Sequence, residues 1–121
     1  MPLEGRDLAR FRDIEVYALR AMDYLEEEPQ VAALHGGTTL VQDAILRCFD
    51  VIGEAARAVT PEGKATYPAI PWPFIIGMRN RVIHEYHRVD LNLVFQTVRV
   101  DLPVLIQQVR TVLDAHPPKP M

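Results

Sequence analysis

The chain has 121 residues, of which 49% are hydrophobic and 24% are charged, and its formal net charge is −3. These values fit one globular domain with its own core, and the acidic balance excludes a protein that coats nucleic acid through bulk electrostatics. The single cysteine, Cys48, excludes an internal disulfide, and no Cys/His spacing is typical of zinc. No apolar run is long enough to cross a membrane, and the first residues are charged, unlike a secretory signal, so we expect a cytoplasmic protein.

The first predicted helix runs from about Asp7 to Glu28, because apolar residues recur there at every third or fourth position. Pro29 is expected to end this helix, since proline disfavours helical backbone in the residue before it. A loop that contains Gly36 and Gly37 follows.

The second predicted helix runs from about Leu40 to Val59, with Thr38 or Thr39 as its N-cap. Its apolar arc is wider than one neighbouring helix requires, which indicates two neighbours, or one neighbour and a second subunit. The centre of the arc is formed by Ile45, Phe49, Ile52 and Ala56. Cys48 belongs to the same arc and is expected to be buried and inert.

A loop is predicted for residues 60–72, which hold three of the ten prolines. Pro73 suits the first turn of a third helix, and Trp72 is expected to anchor that helix in the core. This third helix continues into a basic segment, residues 79–88, and a short break follows near residues 86–89.

Asp90 is expected to cap a fourth helix that ends near Ala115, and Pro103 should kink it because one backbone hydrogen bond is lost. A second apolar stripe on this helix consists of Leu93, Val100 and Val104. Together with the broad arc of the second helix, the stripe indicates a homodimer. The predicted fold is all-α, an antiparallel bundle of four to five helices, with residues 1–115 as the domain and residues 116–121 as a proline-rich tail.

The basic segment holds three arginines, two histidines and one glutamate. Asn80 and His84 share one helix face, whereas Arg79 lies about 140° from His84 around an ideal helix. The Arg79 side chain must therefore curl round, or the helix must loosen, for the two groups to converge. A guanidinium and an imidazole that converge can form a phosphodiester site. The arginine binds phosphate oxygens, and the histidine moves the proton of a ribose 2′-hydroxyl or of the leaving 5′-oxygen.

RNA carries its own nucleophile in the 2′-hydroxyl, so such a site needs neither a metal ion nor another cofactor. The expected products are a 2′,3′-cyclic phosphate and a 5′-hydroxyl, and DNA would not be cut in this way. His84, His87 and Glu85 lack the spacing of a metal site, and we expect no metal there.

Other interpretations of these residues stay open. A histidine near a helix end is often a cap or a surface residue, and basic residues in a last turn complement the helix dipole. Arg81 and Glu85 fit an ordinary solvated pair, while Arg88 either extends a phosphate track or lies on a neutral surface. Glu54 is expected on a solvated face, the alternative being that it reaches Arg79.

Arg79 and Asn80, followed by His84 and Tyr86, resemble the R-N-x-x-x-H-x-Y motif of HepT-like proteins of the HEPN superfamily. The resemblance covers roughly residues 7 to 113. Further matching stretches occur in the same order, at residues 44–56, at Trp72 with residues 76–80, and at Asp101-Leu102-Pro103.

The resemblance implies a dimeric bundle of four or five helices, with both copies of the motif in a cleft near the subunit contact. It implies a metal-independent RNA endonuclease that acts as the toxin of a toxin–antitoxin pair. By the same resemblance, Arg79 would stabilise the phosphate and His84 would be the acid/base. Tyr86 would receive AMP from a small nucleotidyltransferase antitoxin. The family motif gives Asn80 no firm role, and we expect it to orient His84 or the substrate. Arg81, His87 and Arg88 are further candidate RNA contacts.

Two other functions remain as alternatives. A non-catalytic HEPN subunit that binds and regulates a nucleotidyltransferase would need the bundle but not the Arg/His pair. An unrelated helical interaction domain would need neither, and the ordered match across several helices disfavours it.

Overall fold

The computed structural model describes residues 5–35, 39–84 and 90–117. All regular elements in these ranges are helical: α1 (Gly5–His35), α2 (Thr39–Ala58), α3 (Pro61–Thr66), α4 (Trp72–His84), α5 (Leu91–Gln96), a π-helical turn (Thr97–Asp101) and α6 (Leu102–Asp114). Because α5, the π-helical turn and α6 follow one another without a break, the architecture is an all-α bundle of five helices. This confirms the predicted class.

The core lies where α1 packs against α2 and α6, while the other side of α2 packs against α4. The predicted stripe of α2 is buried, and so is Cys48. The apolar face of the last helix supplies Val98, Leu102, Leu105, Ile106 and Val109 to the same core. The broad apolar arc of α2 is therefore explained by its two neighbouring helices within one chain.

The predicted end of the first helix at Pro29 is wrong, since α1 continues through this proline to His35. A proline inside a helix removes one backbone hydrogen bond and crowds the carbonyl of the preceding turn. Pro29 itself is exposed, so its ring does not have to fit against a neighbouring helix. Thr39 is the first residue of α2, and the alternative cap, Thr38, lies outside the described residues.

The predicted loop of residues 60–72 is also partly wrong, because it contains α3. Thr60 caps this helix by accepting a hydrogen bond from Gly63 N, and Pro61 occupies the first turn. The buried carboxylate of Asp7 holds the cap in place. It accepts hydrogen bonds from Thr60 N at 3.0 Å and from Thr60 Oγ1 at 2.6 Å.

Trp72 begins α4 and lies in the core, as predicted. Its ring packs edge-on against Phe11 of α1, with the ring centroids 5.7 Å apart. The indole N–H donates a hydrogen bond to the carbonyl of Tyr67 at 3.1 Å. These contacts fix the start of the helix that carries the basic segment.

The last helix begins as predicted, because the Asp90 side chain accepts hydrogen bonds from Asn92 N and Leu93 N. The kink at Pro103 stays a prediction, but the helix is irregular just before this residue: it contains the π-helical turn, in which Leu102 N–H bonds to Thr97 O. Pro103 has no N–H and follows immediately in the first turn of α6, so the widened turn lies where regular bonding is interrupted.

The second apolar stripe of the last helix faces outward. Leu93, Val100 and Val104 are 49%, 57% and 59% exposed, and Phe74 of α4 is 49% exposed. Phe74, Val100 and Val104 border a groove of about 300 Å³ between α4 and α6. Among the described helices, none combines the length and the apolar character that a membrane crossing requires.

Candidate active site

Helix α4 passes very close to α2 at Gly53, and this approach sets the position of Arg79. A Cβ built on Gly53 would lie 2.7 Å from Arg79 Cγ and 3.2 Å from the carbonyl oxygen of Ile75, and closer still to Arg79 Cβ. Only a residue without a side chain allows this approach. The Arg79 side chain therefore leaves α4 directly over the surface of α2.

Two carboxylates of α2 surround the Arg79 guanidinium. Nη2 forms an ion pair with Glu54 Oε2 at 2.9 Å, and Nε lies 3.4 Å from Asp50 Oδ1. Nε is buried and has no hydrogen-bond partner among the described residues, although this carboxylate is near. With 19% of its surface exposed, the Arg79 side chain is held against the protein but still reaches solvent.

Asp50 joins Arg79 to a second arginine. Its Oδ2 accepts a hydrogen bond from Arg47 Nη1 at 2.6 Å, while Oδ1 faces Arg79. Glu54 is the outer member of the network and is 56% exposed. Glu54 thus lies on an exposed face, as expected, and it also reaches Arg79, which was the alternative, because it lies one helical turn after Asp50.

Asn80 and His84 follow Arg79 on α4. Asn80 Oδ1 accepts a hydrogen bond of 3.4 Å from Arg79 Nη1, so Asn80 contacts the arginine. Helix α4 stays regular to His84, which is exposed at the end of the helix. In the part of the chain that the structure describes, no hydrogen bond or ion pair joins Arg79 to His84. Because α4 is an unbroken α-helix over both positions, a separation of five residues places the two side chains about 140° apart around its axis.

Of the other candidate residues, the structure describes only Arg81. Arg81 is exposed on α4. Glu85, Tyr86, His87 and Arg88 lie outside the described residues, and their assigned roles stay predictions. Within the described ranges, no three His, Cys, Asp or Glu side chains lie together as a metal-binding group.

Cys48 of α2 is buried, and burial raises the pKa of its thiol from 9.0 to about 11, against smaller opposing effects of Arg20 and Arg47. A thiol with such a pKa is protonated at neutral pH and is a poor nucleophile. This agrees with the prediction that Cys48 has a packing role.

Asp50 and Gly53 belong to the candidate site but were not among the residues predicted for it. Both lie on a helix whose polar arc resembles any solvated face. The sequence feature that could have indicated them is a glycine in the middle of a predicted helix, between acidic residues at positions 50 and 54. Such a glycine often marks the close approach of another helix.

The site thus consists of a guanidinium held by two carboxylates and of an exposed imidazole at the end of the same helix. The fold and these groups define a class of protein: an all-α bundle that presents an arginine and a histidine of the R-N-x-x-x-H motif. Comparison with known families then identifies the family. The model of the family described as "Ribonuclease HepT-like" matches residues 14–112 of the chain, and the chain belongs to this HEPN family.

Individual relatives agree with this assignment. The chain is 28% identical to "Putative RNase MJ0125" of Methanocaldococcus jannaschii over 107 residues, which cover 88% of this chain and 85% of that protein. It is 32% identical over 73 residues to "Putative RNase MJ1380" of the same organism, covering 60% of this chain and 67% of the relative. It is 38% identical over 64 residues to "Probable ribonuclease HepT" of Thermococcus cleftensis, covering 53% and 58%. No solved structure matches the chain.

Proposed function

We propose that the protein is a metal-independent RNA endonuclease that cleaves by attack of the ribose 2′-hydroxyl on the adjacent phosphate. The observation that carries the proposal is the Arg79 guanidinium, held on α4 with part of its surface open to solvent. A fixed guanidinium can bind a phosphate and stabilise the charge that develops on its oxygens in the transition state.

The proposed reaction needs two proton transfers. His84 accepts the proton of the 2′-hydroxyl, or donates one to the leaving 5′-oxygen, because an imidazole changes protonation near neutral pH. The 2′-oxygen forms a bond to phosphorus and the bond from phosphorus to the 5′-oxygen breaks. The products are a 2′,3′-cyclic phosphate and a 5′-hydroxyl. No external oxidant, reductant or cofactor is required.

A test with purified chain uses RNA in the presence of EDTA. We expect cleavage by the wild type, and a loss of about 100-fold or more in His84→Ala and in Arg79→Ala. His116→Ala and Arg110→Ala are the matched controls. These controls remove an imidazole and a guanidinium outside the candidate site. His116 contacts the carbonyl of Val112, and Arg110 pairs with Glu15. No cleavage by the wild type would instead favour the non-catalytic HEPN subunit that regulates a nucleotidyltransferase.

We further propose a homodimer in which Arg79 of one chain and His84 of the other share one substrate. Two observations support it: the two side chains leave α4 in different directions within one chain, and apolar side chains are exposed beside the groove between α4 and α6. A mixture of Arg79→Ala and His84→Ala chains tests this directly. If subunits exchange freely, half of the dimers are mixed and one of their two sites is intact, so about a quarter of wild-type activity should return. No recovery in mixed dimers would contradict a shared site.

The proposed biological role is that of a toxin whose partner is a small nucleotidyltransferase antitoxin. Transfer of AMP to Tyr86 would add bulk and negative charge beside a site that receives phosphate, and would therefore oppose RNA binding. A reading frame for a small nucleotidyltransferase next to this gene would support the pairing. If the partner fully neutralises Tyr86→Phe under conditions where AMP transfer is required, this mechanism of inhibition is wrong.

A further inference from the structure

Two carboxylates of α2 contact the proposed phosphate-binding arginine, although neither has a role in the proposed reaction. We propose that Asp50 and Glu54 are positioning residues, which hold the Arg79 guanidinium in one orientation and leave its terminal edge for a phosphate of the RNA. The inference rests on the proposed function of Arg79. Its first test, however, does not depend on catalysis.

The contacts restrict the guanidinium on one side. Nε and Nη2 face Asp50 and Glu54 at 3.4 and 2.9 Å, and the Arg79 stem lies against Gly53 between them. An arginine side chain has several rotatable bonds, so a single arrangement is kept only where partners compensate for the lost freedom. The carboxylates at positions 50 and 54 are these partners.

The same contacts leave the other edge of the guanidinium open. Nη1 and Nη2 each carry two N–H groups. Among the described residues, Nη1 has one partner, Asn80, and Nη2 has one partner, Glu54. At least one N–H on each terminal nitrogen therefore has no partner there. Parallel N–H groups on two nitrogens form the fork that binds phosphate with two hydrogen bonds.

The charges of the network are balanced, which allows acidic residues to lie beside a phosphate site. Arg47 pairs with Asp50, and Arg79 pairs with both carboxylates. Two arginines and two carboxylates give a formal charge of zero. A phosphate that approaches the terminal edge of Arg79 therefore meets a guanidinium without a net negative environment.

The first experiment measures the order of the Arg79 side chain by nitrogen-15 relaxation of its Nε–H group. The samples are the wild type, Glu54→Ala, Glu54→Gln and the control Glu15→Gln, which weakens an ion pair of 3.0 Å between α1 and α6. We expect an ordered Nε–H in the wild type and the control, loss of order in Glu54→Ala, and an intermediate value in Glu54→Gln, because an amide oxygen still accepts a hydrogen bond. An equally mobile Nε–H in all four proteins would overturn the proposal.

The second experiment measures kcat and KM for RNA with the same proteins. We expect kcat to fall by about 10- to 100-fold in Glu54→Ala, because a misplaced group loses transition-state contacts. KM should not rise, because a negative charge has been removed near the phosphate. Glu54→Gln should recover part of kcat, and Glu15→Gln should match the wild type.

The remaining outcomes separate the two proposals. Faster cleavage by both Glu54 variants would mean that the carboxylate keeps Arg79 from binding RNA, and would overturn the positioning role. An unchanged kcat in a variant whose Arg79 is disordered would also overturn it. If the wild type does not cleave RNA but Arg79 loses order in Glu54→Ala, the proposed function fails while the holding of Arg79 by Glu54 is supported.

Discussion

Substitution of Gly53 by alanine should destabilise the protein, although alanine is the better helix former. An added Cβ would lie 2.7 Å from Arg79 Cγ and 3.2 Å from the Ile75 carbonyl oxygen, with Arg79 Cβ nearer still. The Ile75 carbonyl is part of the backbone of α4, and Arg79 Cβ is bonded directly to that backbone, so neither atom can rotate away. The helix itself must move from α2.

The magnitude follows from two opposing terms. Overpacking of this kind costs about 3 kcal/mol, the upper end of the usual range. The higher helix propensity of alanine returns about 1 kcal/mol. We therefore expect Gly53→Ala to lower the free energy of unfolding by about 2 kcal/mol, which for a chain of this size lowers Tm by roughly 6–10 °C.

The matched control is Gly77→Ala, on α4. A Cβ at Gly77 would meet nothing within 4 Å, so this change should raise the free energy of unfolding by up to about 1 kcal/mol. Urea unfolding followed by circular dichroism measures both variants. The account of the α2–α4 contact is refuted if Gly53→Ala is as stable as the wild type, or if the two glycine variants behave alike.

Three further predictions concern other parts of the molecule. Asp7→Ala should lower the free energy of unfolding by about 1–3 kcal/mol, because it leaves the N–H and the hydroxyl of Thr60 without their acceptor. Asp7→Asn should lower the free energy of unfolding by less, and urea titration distinguishes the two variants. Cys48, whose thiol has a pKa raised to about 11, should resist alkylation in the folded protein at pH 8. Because the pKa of this thiol is higher in the folded protein than its ordinary value, the thiol's contribution to the free energy of unfolding should be complete below pH 9 and should be lost as the pH rises towards 11. The free energies of unfolding of the wild type and of Cys48→Ala, compared over a pH series, measure this contribution. Val100→Asp and Val104→Asp should shift the proposed dimer towards monomer in sedimentation, and an unchanged dimer would place the contact elsewhere.

Much of the fold could be predicted from the sequence because it depends on local patterns. The helical spacing of apolar residues indicated the main helices, and Asp90 was recognisable as an N-cap. The errors occurred where tertiary context overrides local preference. Helix α1 continues through Pro29, which is exposed. Helix α3 forms in a proline-rich segment because Asp7, 53 positions away, binds the capping residue Thr60.

In the candidate site, too, the local part could be predicted from the sequence and the part that depends on tertiary contacts could not. Arg79 and His84 could be singled out because their types and spacing follow a motif within one helix. The carboxylates that hold Arg79 belong to a different helix, and the sequence pattern of α2 does not indicate which part of its polar arc faces α4. The contact depends on Gly53, whose small size matters only once the two helices are packed together.

Cleavage by attack of the 2′-hydroxyl can be tested by removing this hydroxyl at one position of an RNA substrate. Once a cut has been mapped in an RNA, the same RNA is prepared with a single 2′-deoxy residue on the 5′ side of that position and incubated with the protein and EDTA. Cleavage at this position should disappear while other cuts persist, and the unmodified RNA should yield a 2′,3′-cyclic phosphate and a 5′-hydroxyl. Cleavage of the 2′-deoxy linkage at the normal rate, or products with a 5′-phosphate, would contradict attack by the 2′-hydroxyl.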